Sequence, residues 1–134
     1  MSNRVVARFQ DGRIVKGTSL DVDSNRPNFH VNPPGGGRSV AINLADLKAL
    51  FFVRTFDGDP AFNEDLKPDP EDPRTRGSTI VALRFADGEE IVGLTIRYPP
   101  NRPYFFVVPV DSSSNNIRIL VNRSAVVSME QRAE

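Results

Sequence analysis

The chain contains the same sequence pattern twice, at a spacing of 76 residues. Residues 8–33 and 84–109 align without a gap, and 11 of the 26 aligned positions are identical. In the first copy the identical residues are Arg8, Phe9, Asp11, Gly12, Gly17, Asn25, Arg26, Pro27, Phe29, Val31 and Pro33. With one residue inserted after Pro109, Val40 and Ile42 align with Ile117 and Ile119. A pattern repeated at a fixed spacing indicates a duplicated structural unit, so we expect both halves to share one fold.

The duplication divides the chain into three predicted parts. Residues 1–56 and 78–134 form the two copies, and residues 57–77 connect them. This connecting segment has four prolines, seven acids and three bases, a composition typical of a linker without a core of its own. Residues 1–56 have eight bases and four acids, so we expect the acidic linker to lie over the first half. Phe62 and Leu66, its large apolar residues, would hold it there.

Alternating apolar residues predict β-strands in both copies. Val5, Ala7 and Phe9 alternate with polar or smaller residues, as a strand with one buried face does. The Asp-Gly dipeptide that follows in each copy predicts a hairpin turn. We expect a second strand from about 14 to 22 and from about 90 to 98. A single helical turn at 45–48 and a last strand at 49–56 complete the first unit.

These elements predict an all-β chain of two tandem five-stranded small barrels, SH3-like or Sm-like. Gly17 and Gly93 lie inside the second strand at matching positions, where glycine indicates a bulge or sharp bend. The run Leu50 to Val53 is apolar without alternation, which favours a strand covered on both faces. We expect this strand to lie at the contact between the two halves.

The composition excludes most cofactor and metal chemistry. The chain has no cysteine and one histidine, so thiolate ligands, thiol nucleophiles and imidazole clusters are all missing. His30 aligns with Phe106, which favours a packing or surface role over a catalytic one. No apolar stretch approaches the length of a membrane span, and the N-terminus has no apolar signal core. We therefore expect a cytoplasmic protein that is not an enzyme and binds neither cofactor, metal nor membrane.

A segment reading Leu47-Lys48-Ala49-Leu50-Phe51-Phe52-Val53-Arg54 resembles a bacterial domain family of unknown function. The likeness continues in the second half, from Arg84-Phe85 through Asp87-Gly88-Glu89 and Phe105-Phe106 to Ser114-Asn115-Asn116. The resemblance spans nearly the whole chain. It implies a bacterial origin and an association with signalling or surface-motility proteins, some of which carry PilZ domains. It supplies no catalytic or binding residues.

The repeated Asn-Arg-Pro loops contain the favoured binding residues, which are Asn25, Arg26, Asn101, Arg102 and the adjacent Tyr104. Loops usually vary, and binding residues are concentrated in them, so identity at these positions is informative. The alternative is plain turn chemistry, since Asn and Pro stabilise turns and Arg pairs with nearby acids. Aromatic residues beside the second loop favour a peptide-binding surface of the kind found on SH3-like grooves.

A second hypothesis is nucleic-acid or cyclic-nucleotide binding through Arg4, Arg8 and Arg84. Arg4 and Arg8 have the spacing of the arginine pair with which PilZ domains bind cyclic di-GMP, and bidentate guanidinium groups suit phosphates. The second PilZ motif is missing, and a net charge of zero argues against a strong nucleic-acid footprint. We therefore favour a non-catalytic interaction or regulatory module of the bacterial cytoplasm. Its partner would be another protein or a peptide, and its oligomeric state stays open.

Overall fold

A computed structural model describes residues 3–59 and 61–132, which form ten β-strands and three single-turn 3-10 helices. The strands are β1 (Asn3–Phe9), β2 (Ile14–Ser19), β3 (Asn28–Val31), β4 (Val40–Asn43), β5 (Leu47–Val53), β6 (Thr79–Phe85), β7 (Glu90–Thr95), β8 (Tyr104–Pro109), β9 (Asn116–Asn122) and β10 (Val126–Arg132). The helical turns are Leu44–Asp46, Pro73–Thr75 and Arg123–Ala125. This confirms the all-β prediction. In the part of the chain covered by the model, no helix is long and apolar enough to cross a membrane.

The strands of the two halves begin at regular spacings. β6, β7 and β8 begin 76 residues after β1, β2 and β3. Beyond β8 the spacing becomes 79, because Asn43 and Asn122 each cap the helical turn that follows them. Ile42 pairs with Phe29, and Val121 pairs with Phe105, so these two partners correspond. The one-residue insertion expected after Pro109 is therefore wrong, since the loop before β9 is three residues longer.

Eight of the strands form one sheet in the order β10-β6-β7-β8-β9-β5-β1-β2, while β3 and β4 pair separately. Neither sheet is closed into a barrel, which differs from the tandem closed barrels expected from the sequence. The physical reason is that β9 of the second half pairs with β5 of the first, so one ladder runs through both halves. In the first half, a single bridge between Thr18 and Asn32 joins β2 to the β3-β4 pair.

Strand β5 is the centre of the contact between the halves. It pairs with β1 on one edge and β9 on the other, so Phe51 lies between Val6 and Ile119. All seven of its residues are buried. Phe51 packs into a core made mostly by the second half, whereas Leu50 and Phe52 point into the core of the first. The prediction of a strand covered on both sides at this contact is confirmed.

Lys48 on β5 adds a buried ion pair across the same contact. Only 10% of its side chain is exposed, and its ammonium lies 2.6 Å from the carboxylate of Asp87 and also contacts Glu89. The ammonium further lies 4.9 Å from the ring centre of Phe85. The hydrogen bond from Lys48, followed by the backbone N–H of Glu89, holds the pKa of Asp87 below its usual value. The turn between β6 and β7 is thereby fixed to the first half.

Glycine is required at two kinds of position in each half. Gly12 and Gly88 have φ values of 93° and 90°, and each donates a backbone hydrogen bond that closes its hairpin turn. The predicted Asp-Gly turns are therefore confirmed. Gly93 has ordinary backbone angles, but an added Cβ would lie 2.8 Å from the carbonyl oxygen of Val108. Gly17 faces β3 in the same way, so both glycines permit close approach of the next strand.

The linker lies against the second half rather than the first. Leu66 packs on an apolar cluster formed by β6, β7 and Val110. The guanidinium of Arg74 donates to the carbonyl of Val110 at 2.9 Å and pairs with Asp72 at 2.7 Å. Phe62 stays 41% exposed. The expected attraction to the basic first half is outweighed, because exposed charges are screened while an uncovered apolar face is costly.

Candidate functional site

Two loops of the chain come together, one from each half. Residues 20–27 connect β2 to β3, and residues 96–103 connect β7 to β8. The guanidinium of Arg102 donates a hydrogen bond to the side-chain oxygen of Asn25. The two Asn-Arg-Pro segments, 76 residues apart in sequence, are thus in direct contact.

A cleft of about 220 Å³ opens beside these loops. One wall consists of Thr95, Ile96 and Arg97, and the other consists of Tyr104, Phe105 and Phe106. Asn101 and Arg102 of the second loop also border it, and Ser24 of the first loop reaches it. The lining therefore combines aliphatic and aromatic surface with two guanidinium groups. We call it the β7–β8 cleft.

The cleft lies where the ladder between β7 and β8 ends. Among the described residues these strands pair at two positions, Gly93 with Pro109 and Leu94 with Val108. Continuing that register would pair Ile96 with Phe106, yet the two residues lie on opposite walls. The expectation that this strand extends to about residue 98 is therefore wrong. Prolines at 99 and 100 explain part of the difference, because proline has no N–H to donate to a ladder.

The first half opens at the matching point. Thr18 and Asn32 exchange two backbone hydrogen bonds of 2.9 and 2.8 Å, and β2 ends one residue later at Ser19 rather than near residue 22. Beyond this bridge the carboxylate of Asp21 accepts a hydrogen bond from the backbone N–H of His30 at 2.9 Å. Its second oxygen lies 2.8 Å from Nδ1 of the same histidine. Asp21 thus occupies the opening in its own half.

The pKa of Asp21 reflects these bonds. The contact with the His30 side chain is the largest cause, and the His30 backbone N–H is the next, of a pKa below the ordinary carboxyl value. The carboxylate of Asp21 is therefore held in its charged form in the first half.

Large aliphatic side chains stand exposed at the same place in both halves. Ile96 is 89% exposed and Leu20 is 72% exposed. They lie 76 residues apart, each directly after the end of its strand. A single exposed apolar residue needs no explanation, but its recurrence beside each opening points to a contact surface.

The charges around the β7–β8 cleft are of one sign. Arg97 and Arg102 border it, and none of its lining residues within the described chain is Asp or Glu. Arg26 lies outside the lining, where it is 3.9 Å from Asp23 with most of its side chain exposed. The cleft therefore presents positive charge beside apolar surface.

The favoured binding residues are largely brought together. Asn101, Arg102 and Tyr104 border the β7–β8 cleft, and Asn25 is held to it through Arg102. Arg26 is the exception, because it turns toward Asp23. Whether these residues bind a partner stays a prediction.

The arginines of the nucleotide hypothesis are occupied elsewhere. Arg4 donates to the carbonyl of Arg54 at 2.9 Å. Arg8 borders a different depression, whose lining also includes the carboxylates of Asp57 and Glu89. Acidic groups at that position disfavour a polyanion.

Arg84 lies 3.4 Å from the carboxylate of Glu90, which Arg132 also approaches at 3.6 Å. Its charge is therefore shared within a local ion-pair network. Together with Arg4 and Arg8, it does not line any one depression found in the described part of the chain.

Sequence reasoning missed Ile96 and Arg97. Leu20 and Ile96 are apolar at matching positions directly before a turn, where polar residues are usual, and this pattern is visible in the sequence. Arg97 replaces the aligned Asp21, a charge reversal that is visible as well. Their meaning depends on the open ladders, which alternation alone does not reveal.

Comparisons with known proteins provide a family and no function. A family model described as a family of unknown function (DUF6982) matches residues 1–133. No curated protein and no solved structure matches the chain. A functional assignment therefore depends on the chain's own residues.

Proposed function

The chain belongs to this family of unknown function, and we propose that it is a non-catalytic interaction module that binds another protein in the β7–β8 cleft. The supporting observation is the open ladder beside an almost fully exposed Ile96. Unpaired strand edges accept extended peptides through main-chain hydrogen bonds, and adjacent side-chain pockets provide specificity.

The lining supports a binding role. Tyr104 and Phe106 present aromatic surface that is partly buried against the core of the first half, so their positions are fixed before a partner arrives. Arg118 lies 4.7 Å from the Phe106 ring centre and 4.2 Å from that of Phe52, which braces the wall further. Rigid aromatic and arginine groups are the residues that contribute most to protein interfaces.

The strand order supports a finer structural proposal. In the second half the order is β10-β6-β7-β8-β9, that is, fifth, first, second, third and fourth. The first half follows the same order through the Thr18–Asn32 bridge. We infer that each half is an opened small barrel of the SH3-like or Sm-like kind. An experimental structure in which the halves fail to superpose would contradict this.

The resemblance of the segment Leu47 to Arg54 supports a setting for the module. We propose that it acts in the cytoplasm of a bacterium, as a regulatory component of a signalling or motility system. The nucleic-acid and cyclic-nucleotide alternative is not carried forward, because carboxylates lie beside Arg8 and Arg84.

Affinity capture with matched variants tests the proposed function. The intact chain is used to capture proteins from a lysate of the organism that encodes it, and the recovered proteins are identified by mass spectrometry. Ile96→Ser and Arg102→Ala change exposed side chains, so both variants should fold normally. We expect each to lose one specific protein that the unmodified chain recovers.

The matched controls are Val127→Ser and Arg76→Ala, which alter exposed residues outside the cleft lining. Both should recover the partner at the unmodified level. Equal recovery with all four variants, or no protein above background, would contradict the proposed function.

A further inference from the structure

The two halves treat the same backbone position differently. In the first half the N–H of His30 points away from β4, because the bond from Leu44 N–H to the Pro27 carbonyl, 2.9 Å long, sets the alternation of the ladder. With the bridge to β2 ending at Thr18, this N–H faces the opening. Asp21 supplies the acceptor that β2 does not.

The second half has the same ladder and no such acceptor. Arg123 N–H donates to the Pro103 carbonyl at 2.8 Å, so the alternation between β8 and β9 matches that between β3 and β4. The N–H of Phe106 therefore points away from β9 and into the β7–β8 cleft. Arg97 stands where the first half has Asp21. No carboxylate of the described residues contacts this N–H.

An unpaired N–H beside two guanidinium groups is a site for an anionic oxygen. Hydrogen bonds from a backbone N–H to a carboxylate are stronger than those to a neutral acceptor, and arginine adds charge complementarity. The first half demonstrates that a carboxylate reaches this position from an extended segment, with an aliphatic residue directly before it, Leu20.

We propose that the β7–β8 cleft binds an extended peptide segment of a partner protein whose carboxylate accepts the hydrogen bond from the Phe106 N–H, beside Arg97 and Arg102. The aliphatic or aromatic residue next to that carboxylate packs on Ile96. The partner thus provides in trans what Asp21 provides in cis. This inference rests on the proposed function and specifies the chemistry of the partner.

The chain's own sequence provides the probe. The peptide Thr-Ser-Leu-Asp-Val, residues 18–22, is acetylated and amidated so that Asp is its sole carboxylate. Its control is Thr-Ser-Leu-Asn-Val with the same blocked ends, and a third peptide keeps Asn but has a free C-terminus. We expect the Asp peptide to bind the full chain about tenfold more tightly than the blocked Asn peptide.

The third peptide separates two sources of the carboxylate. Tight binding of this peptide assigns the site to a chain end, and weak binding assigns it to an acidic side chain. If the blocked Asn peptide binds as tightly as the Asp peptide, or the Asp peptide does not bind at millimolar concentrations, the inference is overturned.

A substitution in the protein gives an independent test. Arg97→Asp restores the residue type of the first half, so we expect the cleft to be filled internally and the Asp peptide to bind at least about tenfold more weakly. Arg76→Asp makes the same charge change at an exposed position outside the cleft lining and should leave binding unchanged. Equal binding by the unmodified chain and Arg97→Asp would overturn the inference.

The two proposals fail in different ways. A captured partner that depends on Ile96 and Arg102, but is neither displaced by the Asp peptide nor lost with Arg97→Asp, leaves the proposed function standing and rejects the carboxylate. Without any cleft-dependent partner, the proposed function itself fails.

Discussion

The carboxylate of Asp21 holds the backbone N–H of His30 at 2.9 Å, whereas the aligned pair in the second half is Arg97 and Phe106. The same ladder opens in both halves, but the first half closes its opening with its own side chain. This asymmetry distinguishes the two halves functionally. It leaves the second opening available to a partner.

Replacing Asp21 by asparagine should reduce stability at neutral pH and flatten its dependence on acid. The folded pKa of Asp21 is lowered, so its contribution is fully present above the unfolded value of 3.8 and is lost as the pH falls through the folded pKa. We expect a loss of about 1 kcal/mol at pH 7, small because the side chain is 41% exposed. Urea denaturation between pH 2 and pH 7 measures both effects, in steps chosen around 3.8. A variant as acid-sensitive as the unmodified chain would contradict this role.

Removing the acids around Lys48 should cost more than removing the lysine. Asp87→Asn with Glu89→Gln leaves a buried ammonium unpaired, which we expect to cost about 3 kcal/mol. Lys48→Met leaves two carboxylates that are 56% and 44% exposed and remain hydrated, so it should cost about 1–2 kcal/mol.

Equilibrium denaturation of these two variants decides the order of the two losses. A larger loss from Lys48→Met would mean that the packing of the lysine stem, rather than the desolvation of its charge, dominates the contact between the halves.

Truncating Phe51 should destabilise the whole chain in one transition. Phe51 is 4% exposed and lies between strands of both halves, so Phe51→Ala should cost about 3–5 kcal/mol. Val127→Ala, at an exposed position of β10, is the control and should change stability by less than about 0.5 kcal/mol. Thermal unfolding followed by circular dichroism measures both. Two separate transitions in the unmodified chain would contradict a shared core.

Adding one methyl group at Gly93 should destabilise the second half. The new Cβ of Gly93→Ala would approach Val107 and lie 2.8 Å from the Val108 carbonyl oxygen, which is backbone and moves little. We expect a loss of about 2–3 kcal/mol in denaturant titration. A neutral effect would show that β7 and β8 separate readily, and the cleft would then be less rigid than described.

Much of the fold follows from local patterns in the sequence. The Asp-Gly turns, the glycines inside the second strands and the apolar run of β5 each correspond to a feature with a single physical cause. Positive φ, close strand approach and burial on both faces are local requirements. They therefore appear in the residue types themselves.

Other features depend on partners that are distant in sequence. Lys48 sits within an apolar run and is buried because Asp87 and Glu89 reach it from the other half. The linker follows the hydrogen bonds of Arg74 and the packing of Leu66, not the net charge of each half. The loops of the site were visible as a repeated motif, but the opening beside them depends on where two ladders end.

The central claim is that a partner segment binds in the cleft between β7 and β8, with its carboxylate on the N–H of Phe106. Backbone amide NMR signals, followed while the blocked Thr-Ser-Leu-Asp-Val peptide is added, test this most directly. The account predicts the largest shifts at Phe106, Ile96 and Arg97, with the His30 signal unchanged because Asp21 already occupies that site. Shifts that are largest at His30 or along β10, or no shift at Phe106 at saturation, would contradict it.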